Sequence, residues 1–298
     1  MRTVFYLCLS VFICASVLGC RPRGPAPYFG PTLPFNEVVQ AINANAEKIP
    51  SLRGEGHFHA TILQPGHSKQ DVSGDLTLLY ARQRSLRFIG KDPLLGPIFE
   101  IASNNDRYWV IVKPPDPNQQ TMWWGTHANA SRVDPETIPV HPELLLEVLG
   151  IATIGSNLLE PPVPVLRFNN DADAYMMIWN ARLADRWFAV KEIWYDRATL
   201  LPKLVNLFDT DGRVVLRAYL FDHKPVPVDG LPKDQWPKVA TQYQLFFPKT
   251  QSKLEFDLAG DLAIKRKNVP NERSFVFPEN PDVTHVINLD EMGKPTTD

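Results

Sequence analysis

His57 and His59 flank Phe58, and residues two apart on a strand share a face, so these two imidazoles could meet one divalent ion. No third ligand stands near them in the sequence, and a solvent-facing polar pair has the same spacing. Carboxylates spaced for acid–base work occur as Glu192 with Asp196 and as Asp257 with Asp261. Solvent-facing strand and turn positions account for both pairs without a hydrolase. Seven tryptophans, adjacent at Trp123-Trp124, could form a carbohydrate platform, yet neighbours on a strand point to opposite faces, and aromatics in a half-open apolar sheet more often line a core or cavity. Motifs that would fix a reaction are missing: there is no Gly-x-Ser-x-Gly elbow, no His-Glu-x-x-His helix and no Gly-rich phosphate loop ending in Lys-Ser or Lys-Thr. The expectation is a protein with no enzymatic activity, no metal and no cofactor.

Thiol chemistry narrows to one residue. Cys8 and Cys14 lie inside an apolar stretch from Val4 to Val17 behind Arg2, too short and too near the terminus to serve comfortably as a spanning helix. This is the pattern of a secretion signal, residues 1–19, and its removal leaves Cys20 as the sole cysteine. The run Val17-Leu18-Gly19-Cys20 resembles the lipobox of bacterial lipoproteins. That resemblance implies a diacylglyceryl group on the Cys20 thiol and a further acyl chain on the amine freed by cleavage. Three chains, at roughly 0.8 kcal/mol per buried methylene, hold far more firmly than one. With its only thiol acylated, the exported chain has neither a disulfide nor a reactive cysteine. Arg21 is not the aspartate that retains well-studied enterobacterial lipoproteins in the inner membrane, so the resemblance implies the periplasmic face of the outer membrane.

Residues 20–34 read as a tether: Pro22, Pro25, Pro27, Pro31 and Pro34 favour extended polyproline and build no core. At about 3.1 Å per residue it would hold a body up to roughly 40 Å from a bilayer. Residues 35–278 form one domain, long but within the range of all-β barrels. A formal charge of −2, with Lys and Arg scattered, gives no footprint for a nucleic-acid backbone.

The elements follow from periodicity. Val38, Val39, Ile42, Ala46 and Ile49 fall on one face of a helix over Asn36 to Ile49, with Asn36 as its cap and Pro50 as its stop. From Leu52 the period becomes two: Phe58, Ala60 and Ile62 alternate with polar neighbours, as do Leu76 and Leu78, Leu86 and Phe88, Phe99 and Ile101, and Tyr108, Val110 and Val112. Pro142 opens a short helix over Leu144, Leu145, Val148 and Leu149, and Gly150 closes it. Alternation resumes in seven further segments from Val165 to Asp257, with turn chemistry at Asn169-Asn170-Asp171, Asp196-Arg197 and Asp209-Thr210-Asp211-Gly212. A dozen strands and two helices favour one strongly curved antiparallel sheet over two sandwiches. The acidic, Pro-containing tail, residues 279–298, is expected to fray.

Ile49-Pro50-Ser51-Leu52-Arg53-Gly54-Glu55-Gly56, the hairpin leading to Arg84-Ser85-Leu86-Arg87-Phe88, and the turn Pro93-Leu94-Leu95-Gly96 together resemble the LolA/LolB-like outer-membrane lipoprotein carriers and receptors. Trp194-Tyr195-Asp196, Leu201-Pro202-Lys203-Leu204, Asp211-Gly212-Arg213, Trp236-Pro237-Lys238 and Leu254-Glu255-Phe256-Asp257-Leu258 follow in that family's order. The resemblance covers most of the domain through loose patterns of turns and alternation.

It implies a mainly β (α+β) fold, a single curved antiparallel sheet forming an incomplete β-barrel of about eleven strands, with helices set into the open side and an apolar hollow for acyl chains. Phe58, Leu78, Phe88, Val110, Trp194, Phe221, Phe247 and Phe256 are the expected lining, whether they leave a channel or fill it. By the same resemblance Leu94 or Leu95 occupies the receptor's membrane-delivery loop, unless both are core residues beside Pro93 and Pro97. Arg53 or Arg87 would be the arginine that latches the lid. A Pro-rich insertion around Lys113 to His141 departs from the family. The expected partners are the membrane, through the lipid anchor, acyl chains of lipoproteins or lipids, and a periplasmic carrier protein, with the chain itself a monomer. The other function considered is a structural or sensory envelope lipoprotein that uses the half-barrel for protein contacts.

Overall fold

The computed structural model describes residues 26–62, 69–82, 84–130, 142–183, 185–260, 262–264 and 272–292. Cys20, the leader, the start of the tether, part of the Pro-rich insertion and Asp261 lie outside the described residues.

Period-two alternation produces strands along nearly the whole chain. The first series is β1 (Ser51–Ile62), β2 (Gln70–Ala81), β3 (Ser85–Asp92), β4 (Gly96–Ser103), β5 (Arg107–Val112) and β6 (Thr121–Thr126). The second is β7 (Val163–Asn169), β8 (Ala174–Leu183), β9 (Arg186–Asp196), β10 (Pro202–Phe208), β11 (Val214–Phe221), β14 (Gln242–Phe247) and β15 (Ser252–Asp257). A short ribbon of β12 (Lys224–Pro225) and β13 (Lys238–Val239) sits between β11 and β14. Each series is an antiparallel meander, and β15 pairs with β1 through Phe58 opposite Phe256 and Ala60 opposite Leu254. Among the described residues the result is one sheet of fourteen strands with β7 at one edge and β16 (His285–Asn288) at the other. It is an open, mainly antiparallel half-barrel, larger than the eleven strands expected.

The turns form as their side chains dictate. Asn104 Oδ1 accepts from the amides of Asp106 and Arg107, Asp209 Oδ1 from those of Asp211 and Arg213, and Asp196 Oδ1 from those of Ala198 and Thr199. A short polar side chain that satisfies the backbone two residues on makes each reversal local.

The sheet curls tightly. The rings of Phe88 on β3 and Phe256 on β15 lie 5.1 Å apart although β1 and β2 intervene. Three strand spacings in a flat sheet amount to about 14 Å, more than two leaning rings can bridge. Two glycines permit the curl. A Cβ on Gly74 would stand 2.1 Å from the Lys91 carbonyl oxygen, and one on Gly90 would stand 2.1 Å from the Phe99 ring. Side chains there would hold β2 and β3 off their neighbours.

Two helices occupy the concave side. Helix α1 (Phe35–Ala46) buries Val38, Ile42 and Ala46 and is followed by buried Ile49. It starts one residue earlier than expected, and its cap is Pro34 rather than Asn36, with no side-chain hydrogen bond. Proline fits there because its fixed φ suits the entry and its missing N–H is not needed. Asn43 and Asn45 lock the helix from two sides: the Asn43 amide exchanges two hydrogen bonds with the backbone of Ile154, and the Asn45 amide does the same with Lys238. Helix α2 (Pro142–Val148) buries Leu145 and Val148, with Leu149 after it, and ends at Gly150 with φ +66°. It touches β4 and β5 on one arm of the sheet and β10 on the other.

The tail departs from expectation. Residues 285–288 add β16 to β6 in parallel, and a turn of helix α3 (Leu289–Met292) follows. The Asp290 carboxylate accepts from the Thr126 amide and hydroxyl. Upstream, Phe277 lies against Trp109 and Trp124 on the convex face of β5 and β6. This second cover explains why four consecutive residues of β5, Tyr108 to Ile111, are buried rather than alternating. The apolar convex side of β5 needed a partner, and the tail supplies it.

Gly74→Ala is expected to destabilise the chain by about 1–3 kcal/mol, because the clash is with backbone that must shift. Urea unfolding of the variant beside the parent chain measures this; an unchanged midpoint would mean that the curl does not depend on close approach at this point.

Candidate functional site

The concave face is built by the inward residue of each strand. Leu78 on β2, Phe88 on β3, Phe58 on β1, Val110 on β5 and Phe256 on β15 are all buried in one apolar cluster, and Phe247 on β14 packs against it half-buried. An aromatic run crosses this surface: Tyr243 stacks on Phe256 at 4.5 Å, Phe256 meets Phe88 edge-on, and Phe88 and Phe58 both contact Phe99, at 5.9 and 5.1 Å. Residues of both meanders therefore form one surface.

Two of the expected lining residues face the other way. On β9 the buried, inward positions are Ile193 and Tyr195, so Trp194 between them lies on the convex face, where its indole donates to Glu192. On β11 the inward set is Leu216, Ala218 and Leu220. Phe221 is 42% exposed and stacks on Tyr219 outside. Parity of the strand decides the face, and aromatic character does not.

Helix α2 is held against the concave face by a charge pair that the sequence pattern did not mark. Lys191 is the inward residue of β9 between Trp179 on β8 and Leu207 on β10. Its ammonium sits 4.5 Å from the Trp179 ring centroid and donates to Glu147 Oε1 of α2 at 2.6 Å. The Tyr195 phenol beneath is pushed far above its usual range by burial, with Glu147 adding to the effect. Neither arginine expected at the lid is there. Arg53 pairs with Glu55 at an exposed site. Arg87 forms a forked pair with Glu100, which also accepts from the Trp109 indole, and reaches the Ser274 carbonyl under the C-terminal segment. Both residues belong to the convex side.

At the β3–β4 turn, Leu94 is 94% and Leu95 65% exposed. Asp92 Oδ1 accepts from both their amides, at 2.8 and 2.9 Å, so the turn is fixed while its side chains project. They are not core.

The remaining candidates separate. His57 stands between Asp75 and Asp257 at 3.7 and 3.9 Å, while His59 Nδ1 lies 2.8 Å from the Ser73 hydroxyl, all on the exposed convex face. Among the described residues no group of three or more His, Cys, Asp or Glu is placed to hold a metal. Glu192 accepts from an indole and Asp196 holds a turn, so this pair is divided between two local duties. Trp123 packs inward and Trp124 is covered by Phe277 and Arg107, which leaves no flat aromatic platform there.

The tether is seated over its second half. Tyr28 exchanges hydrogen bonds with Asn170 through its amide, which donates to the Asn170 carbonyl at 3.0 Å, and its carbonyl, which accepts from the Asn170 side chain at 2.6 Å. The Arg197 guanidinium lies 3.8 Å from the Tyr28 ring centroid and is itself held by Asp173. Farther on, the Leu33 amide donates to the Tyr175 hydroxyl.

No protein-family model matches the chain, and no curated protein matches it. Among solved structures it is similar to a LolA superfamily protein of Nitrosomonas europaea, with a TM-score of 0.46 and 13% identity over 80% of this chain and 97% of that one. A putative outer membrane lipoprotein-sorting protein domain of Vibrio parahaemolyticus is similar at a TM-score of 0.46 and 14% identity, over 80% and 97% of the two chains. A DUF1329 family protein of Desulfovibrio piger has a TM-score of 0.46 and 12% identity, over 82% and 100%. The chain is thus similar to LolA superfamily proteins and outer membrane lipoprotein-sorting domains, at low identity.

Proposed function

We propose that this is an envelope lipoprotein, anchored as a monomer through acyl groups on Cys20, that takes acyl chains of lipoproteins or other amphiphiles into the concave face of its sheet. It receives or shuttles them at the outer membrane without covalent chemistry. The observation that carries this reading is the continuous apolar and aromatic concave surface under a seven-residue helix tied across it by Lys191 and Glu147. The hydrocarbon of an acyl chain offers no polar handle, so that part of its site needs a dry concave wall and a cover that can move. Helix α2 contributes no strand to the sheet, and among the described residues it is held by the Lys191–Glu147 pair and by buried Leu145, Val148 and Leu149.

The fixed turn at Leu94 and Leu95 suits delivery of such chains into a bilayer. Because Tyr28 is seated on the domain, residues 28–34 do not add to the reach of the tether. A periplasmic carrier protein is the expected donor of cargo. A structural or sensory lipoprotein that binds no lipid is the second reading, favoured by one observation: Phe58, Leu78, Phe88 and Phe256 are fully packed in this structure.

The two readings part on one experiment. Full-length chain carrying Cys20→Ser, extracted with organic solvent, is expected to release acyl lipid detectable by mass spectrometry and to bind a fluorescent fatty acid. A chain that releases none and binds none would sink the first reading and favour the second.

Leu94→Glu and Leu95→Glu are expected to leave the unfolding free energy within about 0.5 kcal/mol, as exposed sites do, while slowing lipid transfer to liposomes. Loss of folding, or transfer at the parent rate, would remove the turn from the mechanism. Lys191→Met leaves Glu147 without its partner, so amide exchange over residues 142–150 should rise on the order of tenfold while the sheet stays protected. Equal protection in the variant would mean that the ion pair does not hold the helix down.

A further inference from the structure

Tyr243 is 1% exposed, and its hydroxyl is buried with no hydrogen-bond partner among the described residues. The contrast with Tyr175 is direct: that phenol, also buried in the core, accepts from the Leu33 amide. A buried hydroxyl left unpaired costs about 1–3 kcal/mol, whereas phenylalanine would present the same ring at no such cost. The rings that continue the surface from Tyr243 are phenylalanines: Phe256, Phe88 and Phe99. One polar atom thus stands at the end of an otherwise apolar aromatic run. Burial holds the phenol well above its usual pKa, so it remains a neutral donor at any pH the envelope meets.

An acyl ligand carries a matching group. Its hydrocarbon has no polar atom, but the ester or amide that joins it to glycerol, to cysteine or to an amine ends in a carbonyl, which is an acceptor. We infer that the Tyr243 hydroxyl donates a hydrogen bond to the ester or amide carbonyl of a bound acyl ligand, whose hydrocarbon lies along Phe256, Phe88 and Phe99. This rests on the lipid-binding reading above and adds the polarity of the bound chain. The carbonyl sits at β14, and the tail runs beneath β3 and β4. It also gives a basis for selecting acyl esters and amides over ethers and plain hydrocarbons.

The test compares two lipids that differ in one oxygen, 1-monopalmitoylglycerol and 1-O-hexadecylglycerol, on the full-length Cys20→Ser chain with and without Tyr243→Phe. The ester is expected to bind the parent chain several-fold to about tenfold more tightly than the ether, the range of a single hydrogen bond. Tyr243→Phe should lower ester affinity to the ether level, leave the ether unchanged, and keep or raise the unfolding midpoint without ligand. With a ¹³C-labelled ester, the carbonyl stretch should lie at lower frequency on the parent chain than on the variant.

Equal loss of both lipids would assign Tyr243 to packing and overturn the inference. A lowered midpoint without ligand would mean that a buried water already satisfies the hydroxyl, and would overturn it as well. Binding of both lipids without preference, unaffected by Tyr243→Phe, overturns the inference and leaves the lipid-binding reading standing. Failure of the parent chain to bind either lipid overturns both.

Discussion

Antiparallel pairing of β1 with β15 joins two meanders whose paired residues, Phe58 and Phe256 among them, lie nearly the length of the domain apart in sequence. Everything proposed for the concave face depends on that seam. Phe58, Phe88 and Phe99 come from the first meander and Tyr243 and Phe256 from the second, so neither half holds the aromatic surface alone. Closing so long a loop is entropically unfavourable, although the cost grows only slowly with length, and burial along the seam offsets it. The seam also fixes the curl, because it sets Phe256 beside two strands that must bend for it to touch Phe88.

Helix α2 makes the second closure. By touching β4 and β5 as well as β10 it spans the open side, where no strand hydrogen bonds are available. Its hold is of a different kind from the seam. It rests on the Lys191–Glu147 ion pair and on buried Leu145, Val148 and Leu149, while the seam rests on backbone pairing along β1. The open side of the fold is therefore closed by side-chain contacts and not by backbone pairing.

Much of this is legible in the sequence. Period-two alternation locates strands along both meanders, because half-buried antiparallel strands must alternate, although β2 and β8 run several residues beyond their alternating segments. Asp196 and Asp209 mark their turns because short polar side chains satisfy the local backbone. Alternation fails where a second cover exists: β5 is buried on both faces because residues near Phe277 return to it, a contact between segments far apart in the chain. Trp194 and Phe221 fall on the unexpected face for a related reason, since aromatic character points inward only where the parity of buried neighbours such as Ile193 and Leu220 allows it. Lys191 gives no signal because a lysine on a strand reads as solvent-facing until a helix from elsewhere brings a carboxylate to it. Tyr243 gives none because an unpaired hydroxyl is a property of the packed interior.

The seat of Tyr28 has a geometric consequence. Asn170 and Arg197, which hold it, belong to the β7–β8 and β9–β10 turns, and antiparallel alternation places both on one rim of the sheet. The same alternation, followed through β15 and β1, places the Leu94–Leu95 turn on the opposite rim. Strands of 8 to 12 residues separate the rims by about 27–40 Å. The chain thus enters its domain from below and shows its leucines above, as a post rises from a footing. A plane touched by the leucines therefore lies the length of a strand away from the seat of Tyr28.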